Sequence, residues 1–194
     1  MKLRVYLSEQ TMIDAHAEAS KRHQVSRLAG ITNQVISDGN PITADFVGLL
    51  GEIGFSILFN NSERDSDVYA RSGSIDFTIN GYNVEIKSSK HKNAHLLVPA
   101  YEIPEWAGGG FGVKEYNHIY ALMIVDIDNR YVTFAGWTTR DKLIIPACLQ
   151  NFRGGSRQSF VMCQEDLYQL DDQTHHWLEV MAKCKGHKVE LTEA

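Results

Sequence analysis

The 194-residue sequence predicts one α/β domain built on a mixed central β-sheet flanked by helices, and three observations predict it. Between Thr43 and Asn60, Phe46, Leu49, Leu50, Ile53 and Ile57 recur at helical spacing, which makes this stretch a core helix. Residues 75–89 alternate apolar and polar on either side of Asn80-Gly81, the strongest short-range signal for a β-hairpin closed by a two-residue turn. "HIYALMIVDID", residues 118–128, is nearly continuous in apolar side chains, as a central strand covered on both faces must be.

The other elements follow in chain order. "LRVYL" reads as a short strand, after which Ser8 caps a helix extending to about Ala29. That helix is rich in helix formers but weak in apolar stripe, which assigns it to the periphery. Gly39, Asn40 and Pro41 interrupt the chain, and Thr43 opens the core helix. "DVYAR", "SIDFTIN" and "YNVEIKSS" are three short strands, and "RYVTFAGWTT" pairs with the central strand through a turn at Asp128-Asn129.

Gly108, Gly109 and Gly110, followed by Phe111-Gly112, mark a long loop of the kind that commonly carries function. The chain has neither G-x-x-x-x-G-K-[ST] nor a strand-linked G-x-G-x-x-G, which argues against a glycine-rich phosphate cradle. "FRGGSRQS" is a basic loop, and "DDQTHHWLEVMAKCK" reads as a last helix with Trp177, Leu178 and Met181 on its apolar side. Residues 1–194 thus form a single domain with a core at about 43–139, an N-terminal helix and a C-terminal helical extension.

Composition narrows the function. With 43% hydrophobic and 22% charged residues the chain is a globular protein with a sizeable core, not a disordered one. "MKLRVYLSEQ" lacks the apolar core of a signal peptide, and no uncharged apolar stretch approaches the roughly eighteen residues of a membrane span, so the expected location is the cytoplasm. Cys148, Cys163 and Cys184 are too few and too far apart for a disulfide framework. Cys184 and His187, near His175 and His176, lack the second matching pair of a zinc site.

The formal charge of −5 means that any nucleic acid must be held locally. Basic residues do cluster, at "SKRHQVSR", "KSSKHKN" and "NFRGGSR". On a helix, as in the first run, such a cluster is commonly a solvated face.

The hairpin carries the chemistry. A turn at Asn80-Gly81 sets Ile79 against Tyr82, Thr78 against Asn83 and Phe77 against Val84, and so puts Asp76 directly opposite Glu85. Ile75, Phe77, Ile79, Tyr82, Val84 and Ile86 point to one face, the core. Asp76, Thr78, Asn83, Glu85, Lys87 and Ser89 share the other. Like charges opposed across a ladder destabilise it unless a cation or a proton lies between them.

A hard divalent ion such as Mg²⁺ takes carboxylate oxygens in this arrangement. The simpler reading is a solvated hairpin in which Lys87 neutralises the pair diagonally. Glu52, beside the apolar stripe of the core helix, is awkward to bury, and the helix could carry it across the sheet to the same carboxylates.

Helical Glu52, then Asp76, then Glu85-Ile86-Lys87 on the next strand resembles the motif of the PD-(D/E)xK nuclease superfamily. The order of helix, three strands, connection and further strand over residues 43–127 is similar to that family's restriction-endonuclease-like core. The resemblance implies a metal-dependent deoxyribonuclease, an endonuclease in the first instance, that hydrolyses DNA phosphodiester bonds with Mg²⁺, or with Mn²⁺ in its place. Asp76, Glu85 and the backbone carbonyl of Ile86 would ligate the metal, with Glu52 bound directly or through water. Lys87 would position or help deprotonate the attacking water and offset phosphate charge. Two departures stand out: Ile75 precedes Asp76 where the motif has proline, and Pro99, Pro104 and the glycines break the segment where a helix should follow the Glu-x-Lys strand.

Lys90, Lys92, Lys114, Arg153 and Arg157 are the candidates for gripping DNA. Trp106 and Phe111 are candidates for stacking on bases or, more commonly, for anchoring the loop. His91 and His95 lie just past the motif, where a general acid or base would stand. Two rival functions share these residues: a non-catalytic nucleic-acid-binding or interaction protein with an idle acidic pair, and a hydrolase of small phosphorylated compounds. RNA is a substrate the residues do not separate from DNA. A homodimer would suit an enzyme that cuts two strands.

Overall fold

A computed structural model describes residues 2–28, 41–59, 75–106, 117–151, 158–171 and 186–192. The protein is mixed α/β, with a mixed central sheet and a few helices. Strands β1 (Lys2–Tyr6), β2 (Phe77–Ile79), β3 (Tyr82–Ser89), β5 (Ile119–Asp126), β6 (Tyr131–Thr139) and β9 (Val189–Thr192) form one sheet, in the order β2-β3-β5-β6-β1-β9. Only β3 and β5 pair in parallel; the other neighbours are antiparallel. Strands β4 (Leu96–Pro99), β7 (Leu149–Asn151) and β8 (Gln158–Met162) form a second, antiparallel sheet in the order β4-β8-β7.

The chain enters through β1, and Ser8 then caps α1 (Glu9–Leu28), its hydroxyl accepting the Thr11 N–H at 3.0 Å. Ala15 and Ala19 are buried, small enough for α1 to lie close beside the next helix. That helix, α2 (Pro41–Phe59), starts two residues before the expected Thr43, because proline suits the first helical turn, where its missing N–H has no partner to lose.

Phe46, Leu49, Leu50, Phe55 and Leu58 of α2 bury against Phe77, Val84, Ile86, Met123, Val132 and Phe134 of the sheet. Gly51 and Gly54 make that approach possible. A Cβ on Gly51 would lie 1.8 Å from Ser88 Oγ, and one on Gly54 would lie 2.8 Å from Val132 Cβ. Residues Ile42–Phe59 are by length and composition apolar enough to cross a bilayer, with a mean hydropathy of 1.6, although Asp45 and Glu52 keep the stretch from being uncharged.

The expected two-sided burial of the central strand is present. Ala121, Met123 and Val125 of β5 join the core under α2, while Tyr120, Leu122 and Ile124 join a second core with Leu96, Val98, Phe160 and Leu167. That second core is the main departure from the expected fold. Among the described residues a small sheet, not a helix, covers this face, because Pro99 cannot continue a helix while Leu96–Pro99 pairs in register with Met162–Ser159. The strand expected at "DVYAR", the glycine loop and the last helix lie outside the described residues.

Candidate active site

Asn80 and Gly81 both have positive φ, 50° and 81°, as the tight hairpin turn requires. They fix the expected register of Phe77 with Val84, Thr78 with Asn83 and Ile79 with Tyr82. Two of the inward set depart from it: Tyr82 lies at the rim, 55% exposed, with its ring edge-on to His118, and Ile75 is half-buried outside the core cluster.

The ladder stops at Phe77, so Asp76 does not enter it opposite Glu85. Its Oδ2 instead accepts the Ile86 N–H at 2.7 Å, where a continued ladder would have supplied a backbone carbonyl. The carboxylate is thereby held at the residue between Glu85 and Lys87.

Glu85 is 1% exposed, and its charge is matched locally. Lys87 Nζ lies 2.8 Å from Glu85 Oε1 and 3.0 Å from Glu102 Oε2, and Asn117 Nδ2 donates to Glu85 Oε2 at 3.4 Å. Burial by itself pulls the Lys87 ammonium down. Glu85 and then Glu102, as neighbouring charges and hydrogen-bond acceptors, outweigh it and hold Lys87 well above the ordinary lysine range.

Beside them, Arg140 Nη1 donates to Tyr120 Oη at 3.3 Å and Nη2 to Glu105 at 2.6 Å. Burial, opposed by Arg140 and reinforced by Glu85, pushes the Tyr120 hydroxyl up to about 12. The outcome is a cluster in which Lys87 is a fixed cation and Tyr120 a neutral hydroxyl at neutral pH.

Glu52 is held on the other side of the sheet's edge strands. It lies 3.5 Å from Arg22 of α1, which also pairs with Glu18 at 2.9 Å. α2 packs on the face that carries Val84 and Ile86, opposite the face of Glu85 and Lys87. Among the described residues no group of three or more His, Cys, Asp or Glu is arranged to hold a metal ion.

Lys90, Lys92, His91 and His95 are exposed on the turn after β3. Trp106 is 42% exposed and sets its ring edge against Phe160, part anchor and part surface. Phe111, Lys114, Arg153, Arg157, Cys184, His175 and His176 lie outside the described residues. Sequence reasoning missed Glu102, Asn117, Tyr120 and Arg140, which sit in stretches read as loop or plain strand. No family model, curated protein or solved structure matches this chain.

Proposed function

We propose that the protein is a metal-dependent nuclease that hydrolyses DNA phosphodiester bonds at Asp76, Glu85 and Lys87. The observation that carries this reading is the hydrogen bond from the Ile86 N–H to Asp76, which holds one carboxylate at the backbone between Glu85 and its partner Lys87. Asp76 and Glu85 offer hard carboxylate oxygens, the donors that Mg²⁺ or Mn²⁺ takes. The Ile86 carbonyl is a suitable third donor, because in an extended strand a residue's N–H and C=O point to the same neighbour, and this N–H points to Asp76. Such an ion, when bound, supplies Lewis acidity and an activated water.

The rest falls to the chain. Lys87, held above the ordinary lysine range by Glu85 and Glu102, is suited to offset charge on the phosphate and to orient the water. Glu102 holds the ammonium in place from the far side.

A second reading has one observation in its favour. The Glu85–Lys87–Glu102 chain is internally paired, so it would also serve as a polar tie between β3 and the turn at 100–102 in a protein that binds nucleic acid without cutting it.

Purified protein incubated with supercoiled, linear duplex and single-stranded DNA, and with RNA, in Mg²⁺, Mn²⁺ or EDTA separates the two. The nuclease reading expects metal-dependent cleavage of DNA that disappears in folded Asp76→Asn and Lys87→Gln proteins. Binding without cleavage in every metal would leave the second reading standing. Cleavage that survives both substitutions would remove the site from the reaction.

A further inference from the structure

On the face of the central sheet that carries Glu85 and Lys87, a second feature lies towards β1. Lys2 and Arg4 of β1, Lys90 and Lys92 of the turn after β3, and Gln164 surround an open cleft of about 590 Å³ floored by Ile124 and Thr133. The volume is that of a site for a ligand of moderate size. Four cations face two carboxylates there, Asp126 and Glu165, in a chain whose overall charge is −5. Asp126 accepts the Asn129 backbone N–H at 3.0 Å and the Asn129 side-chain amide on both oxygens, and within the cleft it also bonds Tyr131 and lies in the field of Lys92.

The cleft is built, not merely lined. Gln164 accepts a hydrogen bond from Lys2 Nζ at 2.7 Å and donates to the carbonyls of Lys92 at 2.7 Å and Ala94 at 2.9 Å. One amide thus ties β1 to the basic turn and sets the distance across the opening. The Arg4 guanidinium lies 3.9 Å from the centre of the Tyr131 ring, and its Nε is buried without a hydrogen-bond partner. A buried donor of that kind is costly unless an acceptor reaches it.

We propose that this cleft holds the phosphodiester backbone of a single nucleic-acid strand by charge, without reading its sequence. The proposal rests on the nucleic-acid part of the reading above, not on cleavage. Backbone recognition is favoured over a nucleotide pocket because Arg4 already covers a face of Tyr131, the aromatic ring in the cleft, so that face cannot stack on a base. β3 connects the two sites directly. At about 3.3 Å per residue, Lys90 lies roughly 10 Å along the chain from Lys87, so a strand seated in the cleft would pass close to the carboxylate pair.

The test is fluorescence anisotropy of a labelled mixed-sequence oligonucleotide of about a dozen nucleotides, in EDTA so that nothing is cut. Three phosphates held would give a slope of log K against log salt of about −2, or roughly fifteenfold weaker binding at 200 mM than at 50 mM salt. Lys90→Gln/Lys92→Gln, two exposed positions that leave the fold intact, should make that slope shallower by about 1.4 and weaken binding equally for different sequences. Arg4→Gln should act in the same direction.

No binding of the oligonucleotide, or binding indifferent to both variants, overturns the proposal. A mononucleotide bound as tightly as the oligonucleotide also overturns it, because the cleft would then be a small-ligand pocket. A protein that binds in this way but never cleaves keeps this inference and loses the nuclease reading.

Discussion

Under α2 the central sheet is apolar and closely approached, with Phe77, Val84, Ile86, Met123 and Phe134 beneath a helix whose Gly51 and Gly54 nearly touch the strands. On the opposite face the same strands bury Glu85, pair it with Lys87, and end at a cleft ringed by cations. Both buried charged residues among the described ones, Glu85 and Arg140, belong to this second face. A buried ion pair adds little stability over apolar side chains of the same volume, so a face that keeps one is answering to something besides packing.

The largest effect should come from unbalancing that face. Lys87→Met leaves Glu85 buried without its cation and should lower the unfolding free energy by about 3 kcal/mol in urea titrations. The deficit should shrink as the pH falls towards 4. Without Lys87 the folded-state pKa of Glu85 lies above its unfolded value, so the penalty is full above that folded pKa and is relieved as the carboxyl takes up a proton. Adding Glu85→Leu should restore at least half of the loss, because the buried carboxylate that lost its cation is then gone.

On the helical face the corresponding test is steric. Gly51→Ala places a Cβ 1.8 Å from Ser88 Oγ and 3.3 Å from Met123 Cβ, and should cost about 2 kcal/mol in the same titration, with no pH dependence.

The smallest effect to read is spectroscopic. An ultraviolet titration should show a tyrosine that ionises only near pH 12, absent from Tyr120→Phe. Since the folded-state value lies above the unfolded one near 10, the stability tied to this hydroxyl is complete below pH 10 and is lost as the pH rises towards 12. A tyrosine titration finished by pH 11 would mean that the hydroxyl is not buried beside Glu85.

What was legible in the sequence was local or strictly periodic. Asn80-Gly81 permits only one register, so the pairing of Phe77 with Val84 could be read residue by residue. The run Ile119–Asp126 showed two-sided burial by leaving no polar face. The second sheet escaped because its strands have three to five residues, too short for an alternation to register, and meet only through the fold.

The same holds for the site. Asp76, Glu85 and Lys87 lie within twelve residues and share a hairpin, whereas Arg140 reaches Glu105 across 35 positions and Gln164 reaches Ala94 across 70. Glu52 shows the limit of helical periodicity. A residue beside the apolar stripe can lean either way, and the weak stripe of α1 gave no sign that Arg22 would be its partner.

The most direct test of the central proposal is to count bound metal. Free Mn²⁺ remaining in solution, read by electron paramagnetic resonance as protein is titrated in, should fall by about one ion per chain for the wild type, with no such site in Asp76→Asn or Glu85→Gln proteins of unchanged fold. Wild-type protein that leaves all the Mn²⁺ free, or variants that bind it as the wild type does, would contradict a metal site at this carboxylate pair.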